Sequence, residues 1–242
     1  YNMVFTSINL LLNAVYSSLI YILGKTYHEG LDKYVKVHDA FMSIFVGAIT
    51  ILMSVSYFLI IPFVKLYTAG VGDVEYVYPL LPVMFCLVQL ISWSRYITGN
   101  LTAIAGYAKQ TGRISLVEAS INVVLSIVLV QRFGIVGVLF ATVAALPAKV
   151  IYCTYLSDVK ILKRSPVKTL RILIPNYLIF GACVVIDKMV TISINNFGNF
   201  IIYGVFLTAV IASIGILINL LVNRDCLKII KVFMRRKGDL KS

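Results

Sequence analysis

Arg95, Glu118 and Lys149 are lone charges set in otherwise apolar stretches, and they carry most of the chemistry this chain can offer. A charge in apolar surroundings is costly unless it meets a partner, a metal or water. Two cations and one anion leave a net positive site, which suits an anionic ligand. Glu118 could instead pair with Lys149 simply to hold two helices together. Arg95 has no evident acidic partner in the pattern and is expected to face a ligand rather than snorkel to the surface. Asn100 and Asn122, with Gln89 and Ser94, could hydrogen-bond hydroxyl groups such as those of a sugar. The same side chains serve equally well in contacts between helices.

Little else in the chain points to reactivity. There is no phosphate-cradling GxxxxGK[ST] loop, no HExxH, no GxSxG and no DxD-type acidic cluster. Asp73 and Glu75, in a short loop, make a poor catalytic pair, and His28 and His38 are expected to face solvent. Cys86, Cys153, Cys183 and Cys226 are isolated, which reads as packing rather than a disulfide or metal framework. No catalytic residue, cofactor or metal is expected, and the chain does not read as an enzyme.

The elements that position these charges follow from charge-free runs. Residues 1–24, 40–64, 76–94, 119–131, 133–148, 172–186 and 189–223 contain no Asp, Glu, Lys or Arg. Several reach the roughly 20 residues needed to cross a bilayer core. With 60% hydrophobic residues and a mean hydropathy of +0.93, the composition is that of an all-α integral membrane protein. The net charge of +12 does not imply nucleic acid, because no compact basic and aromatic region accompanies it. Seven spans are predicted, near 3–24, 40–65, 77–106, 114–131, 134–157, 170–188 and 200–222. Pro62 lies near the end of the second. Pro79 and Pro82 fall in the first turns of the third, where a missing N–H is tolerated. Gly70-Val71-Gly72-Asp73 predicts a turn, and Arg132-Phe133-Gly134 a very tight hairpin. The sixth span is the weakest, since Asp187-Lys188 closes a short apolar run, and a re-entrant or tilted segment is an alternative there.

Alternate loops divide the remaining Lys and Arg unevenly. Seventeen fall in the loops after the first, third and fifth spans and in the tail; only Lys65, Arg132 and Lys188 fall opposite. The positive-inside rule makes the first set cytoplasmic, with the C-terminus inside. Counted from those ends at 1.5 Å per residue, Glu118 lies roughly 8 Å deep, Lys149 about 12 Å and Arg95 about 16 Å, so one cavity could contain all three. Residues 25–39 read as a connecting interfacial helix, and 224–242 as a basic amphipathic tail on the inner leaflet. The expected organisation is a five-helix bundle over 1–158, two additional helices over 159–223, and that tail.

One stretch supports a family resemblance. Residues 105–111 (AGYAKQT), 118–130 (EASINVVLSIVLV), 133–146 (FGIVGVLFATVAAL) and 161–166 (ILKRSP) resemble the polysaccharide transporters, or Wzx-type flippases, of the multidrug/oligosaccharidyl-lipid/polysaccharide (MOP) exporter superfamily. The segments LNAVYSSLIY and PF–KLYTAG extend the likeness over nearly the whole chain. The resemblance implies the C-terminal lobe of a MATE-like MOP fold, helices eight to fourteen of fourteen, with the N-terminal half missing. It also implies export of undecaprenyl-pyrophosphate-linked oligosaccharides for capsular, exo- or O-antigen polysaccharide, alongside polysaccharide polymerase machinery, in the inner (plasma) membrane. Arg95 and Lys149 are the residues that fit a pyrophosphate site. Tyr107 departs from the family, where this element often carries His, so no proton-linked role is carried over. Rival readings are the same fold with another amphipathic cargo, lipid II or a drug, and a membrane-embedded polymerase or acyltransferase. The last would need a catalytic cluster in a sizeable outer loop.

Overall fold

The computed structural model describes residues 1–69, 77–189, 194 and 196–223. Among these, all regular structure is helical, and six helices are long and apolar enough to cross a membrane. The chain is thus membrane-embedded in character. The helices are α1 (Asn2–Glu29), α2 (Leu31–Tyr67), α3 (Leu80–Ser94), α4 (Tyr96–Ile104), α5 (Ala108–Tyr155), α6 (Val167–Asp187) and α7 (Phe197–Val222), with α3 and α4 forming one membrane-length unit. A π-helical turn, Leu156–Ile161, closes α5. The turn expected at residues 70–73, Asp73 and Glu75, Cys226 and the basic tail at 224–242 lie outside the described residues.

α2 is the hub. It packs against α1, α3, α6 and α7, and its buried face runs from Tyr34 to Val64. In a bilayer such helices are held by close packing and polar contacts, because lipid is as apolar as the side chains. One polar contact ties three helices. The Nδ2 of Asn176 donates to Asn219 Oδ1 at 2.9 Å, the Nδ2 of Asn219 returns a bond at 3.1 Å, and Ser43 Oγ donates to the same Oδ1 at 3.4 Å. Gly47 makes room for it, since a Cβ there would stand 2.9 Å from Asn219 Nδ2.

Residues 25–39 do not form a separate interfacial connector. α1 runs to Glu29, and only Gly30, at φ 138°, separates it from α2, which continues through Asp39 into the apolar run. The mixed charges and Val/Tyr pattern of this stretch are those of helix ends, and only the glycine interrupts them. His38, expected in solvent, is fully buried on α2, while His28 is exposed. The sixth span is a regular 21-residue helix, and Tyr57 O–H donates to Asp187 at its end (2.9 Å).

α5 is 48 residues long but not straight. Gly134 takes φ 55°, ψ −137°, a conformation rarely open to other residues, and the helix doubles back there. Thr142 Oγ1 donates to Asn122 Oδ1 across the two arms at 3.3 Å, whereas 20 residues of straight helix would part them by about 30 Å. Gly137 permits the closeness, because a Cβ there would collide with the Leu129 carbonyl. The pair Asn122→Cys and Thr142→Cys is accordingly expected to cross-link nearly completely on mild oxidation. Little or no cross-linking in folded protein would contradict the hairpin.

Candidate functional site

The expected third span holds as one unit, marked at Arg95 by a one-residue turn between α3 and α4 whose backbone (φ −88°, ψ −11°) remains helical. The Gly99 N–H donates to the Arg95 carbonyl at 2.7 Å, the regular i,i+4 bond that carries the helix on, and Thr98 Oγ1 donates to the same carbonyl at 3.0 Å. Arg95 points at the first arm of α5, and its Nη1 donates to Glu118 Oε2 at 2.7 Å. Lys149, on the second arm, reaches the same oxygen at 4.0 Å. All three side chains are largely buried.

Arg95 therefore has an acidic partner, contrary to the sequence expectation, and the closer pair is Arg95–Glu118 rather than Glu118–Lys149. The reason is where α5 begins. It starts at Ala108, so Glu118 lies about 15 Å along it, level with Arg95, instead of roughly 8 Å. One carboxylate between two cations leaves a net charge of +1, with Lys149 the less committed cation.

Arg95 and Lys149 line a cavity of about 340 Å³ with Tyr16, Tyr96, Gly99 and Asn100. The Asn100 Oδ1 is buried and accepts no hydrogen bond from the described residues. Behind it stands an aromatic cluster: Tyr96 stacks on Trp93 with centroids 4.3 Å apart, and Tyr16 meets Tyr96 edge-on at 5.0 Å. Trp93 is fixed by its indole N–H, which donates to Asn9 at 2.8 Å. Cation, amide acceptor and aromatic rings thus share one concavity, as an anionic head carrying hydroxyls would require.

Of the other sequence candidates, Asn122 is placed apart. Its Oδ1 accepts from Ser126 and Thr142 and ties the arms of α5 together. Ser94 is buried and bonds Tyr177 of α6 at 2.7 Å, and Gln89 does not line the cavity. Cys86, Cys153 and Cys183 are free and buried.

A second polar cluster escaped sequence reading. Arg164 donates to both oxygens of Asp39 (2.6 and 2.7 Å), and its Nε donates to Asp158 Oδ1 at 2.8 Å. Burial opposes the charge of Arg164, but the bonds and charges of Asp39 and Asp158 outweigh it and hold the guanidinium above its usual range. His38 Nδ1 lies 3.0 Å from Asp39 Oδ1. The π-helical turn and Lys163, at φ 49°, swing Arg164 back onto Asp158. The available signal was two acidic residues, Asp39 and Asp158, each at the edge of an apolar run. Comparison with known protein families, with curated proteins and with solved structures finds no match for this chain.

Proposed function

We propose that this chain is the C-terminal lobe of a membrane transporter that flips an undecaprenyl-pyrophosphate-linked oligosaccharide across the plasma membrane for surface polysaccharide synthesis. The observation that carries the reading is the net-positive, aromatic-lined cavity beside Arg95, where α3 passes into α4 through a one-residue turn. Transporters place substrate sites near the bilayer midplane, and a charge within a span there normally faces a cavity or a partner. With the two arms of α5 counted separately, the described residues hold seven apolar helical segments, a number in keeping with a MATE-like MOP lobe. The uneven spread of Lys and Arg supports a cytoplasmic C-terminus. The resemblance over residues 105–166 supplies the cargo class; the cavity's charge and acceptor suit a pyrophosphate-sugar head.

In this reading Lys149 meets the pyrophosphate, while Glu118 holds Arg95 in place until cargo competes for it. Asn100 Oδ1 and the rings of Tyr16 and Tyr96 face the sugar, the Tyr16 hydroxyl being held by the Tyr96 carbonyl, and the polyprenyl tail stays in the bilayer. The test is Lys149→Ala in the chromosomal gene, with surface polysaccharide scored and affinity of the purified protein for undecaprenyl pyrophosphate measured. Surface polysaccharide is expected to fall at least tenfold at unchanged protein level, with affinity tenfold weaker, equivalent to about 1.4 kcal/mol. Lys149→Arg should restore part of both. Unchanged polysaccharide and affinity in Lys149→Ala would remove the residue from the site. Cargo recovered with altered mass would favour an enzyme instead.

A further inference from the structure

A second cavity, of about 540 Å³, opens where α2 and α6 begin and α7 ends, well removed in sequence from Arg95 and Lys149. Its wall carries Lys36, Lys168 and Arg171, three exposed cations with no ion-pair partner among the described residues. Arg164 also reaches it, but its guanidinium is already committed to Asp39 and Asp158. The four cations against those two carboxylates leave a local charge of +2. The rest of the wall is Val35, Leu162, Ile172 and Val222, with Asp39 and Asn223 as its other polar residues; Asn223 Nδ2 donates to the Asp39 carbonyl at 3.0 Å.

This juxtaposition has a physical reading. Unpaired cations around a concavity attract a group with several acceptor oxygens, and a phosphate supplies them. The volume exceeds what a single inorganic phosphate fills and falls in the range of small-ligand sites. The apolar wall lies at the ends of helices long enough to span a membrane, the level at which headgroups meet acyl chains. The Arg164–Asp39–Asp158 network joins α2 to the end of α5, so the floor of the cavity is rigidly built.

We propose that this cavity binds the phosphodiester headgroup of an anionic phospholipid, with Lys36, Lys168 and Arg171 on the phosphate and the glycerol and upper acyl chains against Leu162, Ile172 and Val222. The site is separate from the Arg95 cavity and does not rest on the transport reading.

The test uses the purified full chain in a neutral detergent, with bound lipid counted by native mass spectrometry. Offered equal amounts of dioleoyl phosphatidylglycerol and dioleoyl phosphatidylcholine, the protein should retain one phosphatidylglycerol, preferred at least tenfold. Lys36→Gln/Lys168→Gln/Arg171→Gln should lower that occupancy at least tenfold. The control Lys25→Gln/Lys109→Gln/Arg113→Gln, which removes as many exposed cations elsewhere, should stay within twofold of the parent. Millimolar inorganic phosphate should fail to displace the lipid. Should the triple variant not fold, Lys168→Glu alone must lower occupancy at least threefold. The proposal is overturned by no preference for phosphatidylglycerol, by equal loss in the control, by full displacement with inorganic phosphate, or by unchanged occupancy in Lys168→Glu.

Discussion

Arg164→Ala is expected to destabilise the folded protein more than any other single change, by about 3–5 kcal/mol, because it strands two carboxylates at once. Asp158 is fully buried, and its Oδ2 already lacks a partner, so loss of the Nε bond would leave the whole carboxylate unsatisfied. Asp39 would lose both bonds of a bidentate pair and keep only the His38 contact. For a chain of this size each kcal/mol moves the unfolding midpoint by roughly 2–4 °C, so a fall of about 10 °C is anticipated. Unfolding in detergent can be followed through Trp93, the single tryptophan. Arg164→Lys should recover less than half of the loss, since one ammonium cannot reproduce a fork aimed at two carboxylates. Asp39→Asn/Asp158→Asn/Arg164→Met, which removes the buried charge altogether, should recover most of it. A midpoint for Arg164→Ala within 2 °C of the parent would show that the network contributes nothing to stability.

Glu118→Gln should move two observables in opposite directions. Among the described residues the carboxylate is the one anion paired with Arg95 and Lys149, and its loss leaves two cations facing each other in a largely buried site. Like charges in such a place repel and lack solvation, so a loss of about 2–3 kcal/mol and a midpoint lower by several degrees are expected. Binding of undecaprenyl pyrophosphate should meanwhile tighten at least threefold, because Arg95 no longer has a competing partner 2.7 Å away. Arg95→Ala/Glu118→Ala removes both members of the close pair and should restore the midpoint while weakening binding. If Glu118→Gln leaves stability and affinity unchanged, the three charges do not act as one group. If stability falls but affinity does not rise, the trio is a helix tie and the cavity is not an anion site.

The periodic, charge-free runs by themselves determined that the chain is helical and long enough in its apolar segments to cross a membrane. That information is local: an apolar run of sufficient length has few alternatives to helix where backbone groups cannot reach water. The hairpin at Gly134 was legible for the same reason, as a glycine beside Arg132 between two apolar runs. The lone charges Arg95, Glu118 and Lys149 were also visible, because a charge in an apolar run is costly enough to demand an account.

Tertiary structure alone decided who pairs with whom. Glu118 meets Arg95 because α5 begins six residues before the span expected from hydropathy, a boundary set by the polar segment 108–113 continuing the helix. The Arg164–Asp39–Asp158 network was hidden because Arg164 and Asp158 lie 125 and 119 residues from Asp39, while the two are six residues apart across an irregular turn. His38 was expected to face solvent and Asp39 to end an interfacial helix, since a charge at the end of an apolar run reads as its boundary. His38 is buried and Asp39 half-buried because α2 extends past that boundary and the π-helical turn after α5 brings Arg164 and Asp158 onto it. The Asn176–Asn219 tie was equally unreadable, for a polar residue within a span shows that it needs a partner but not which helix will supply one.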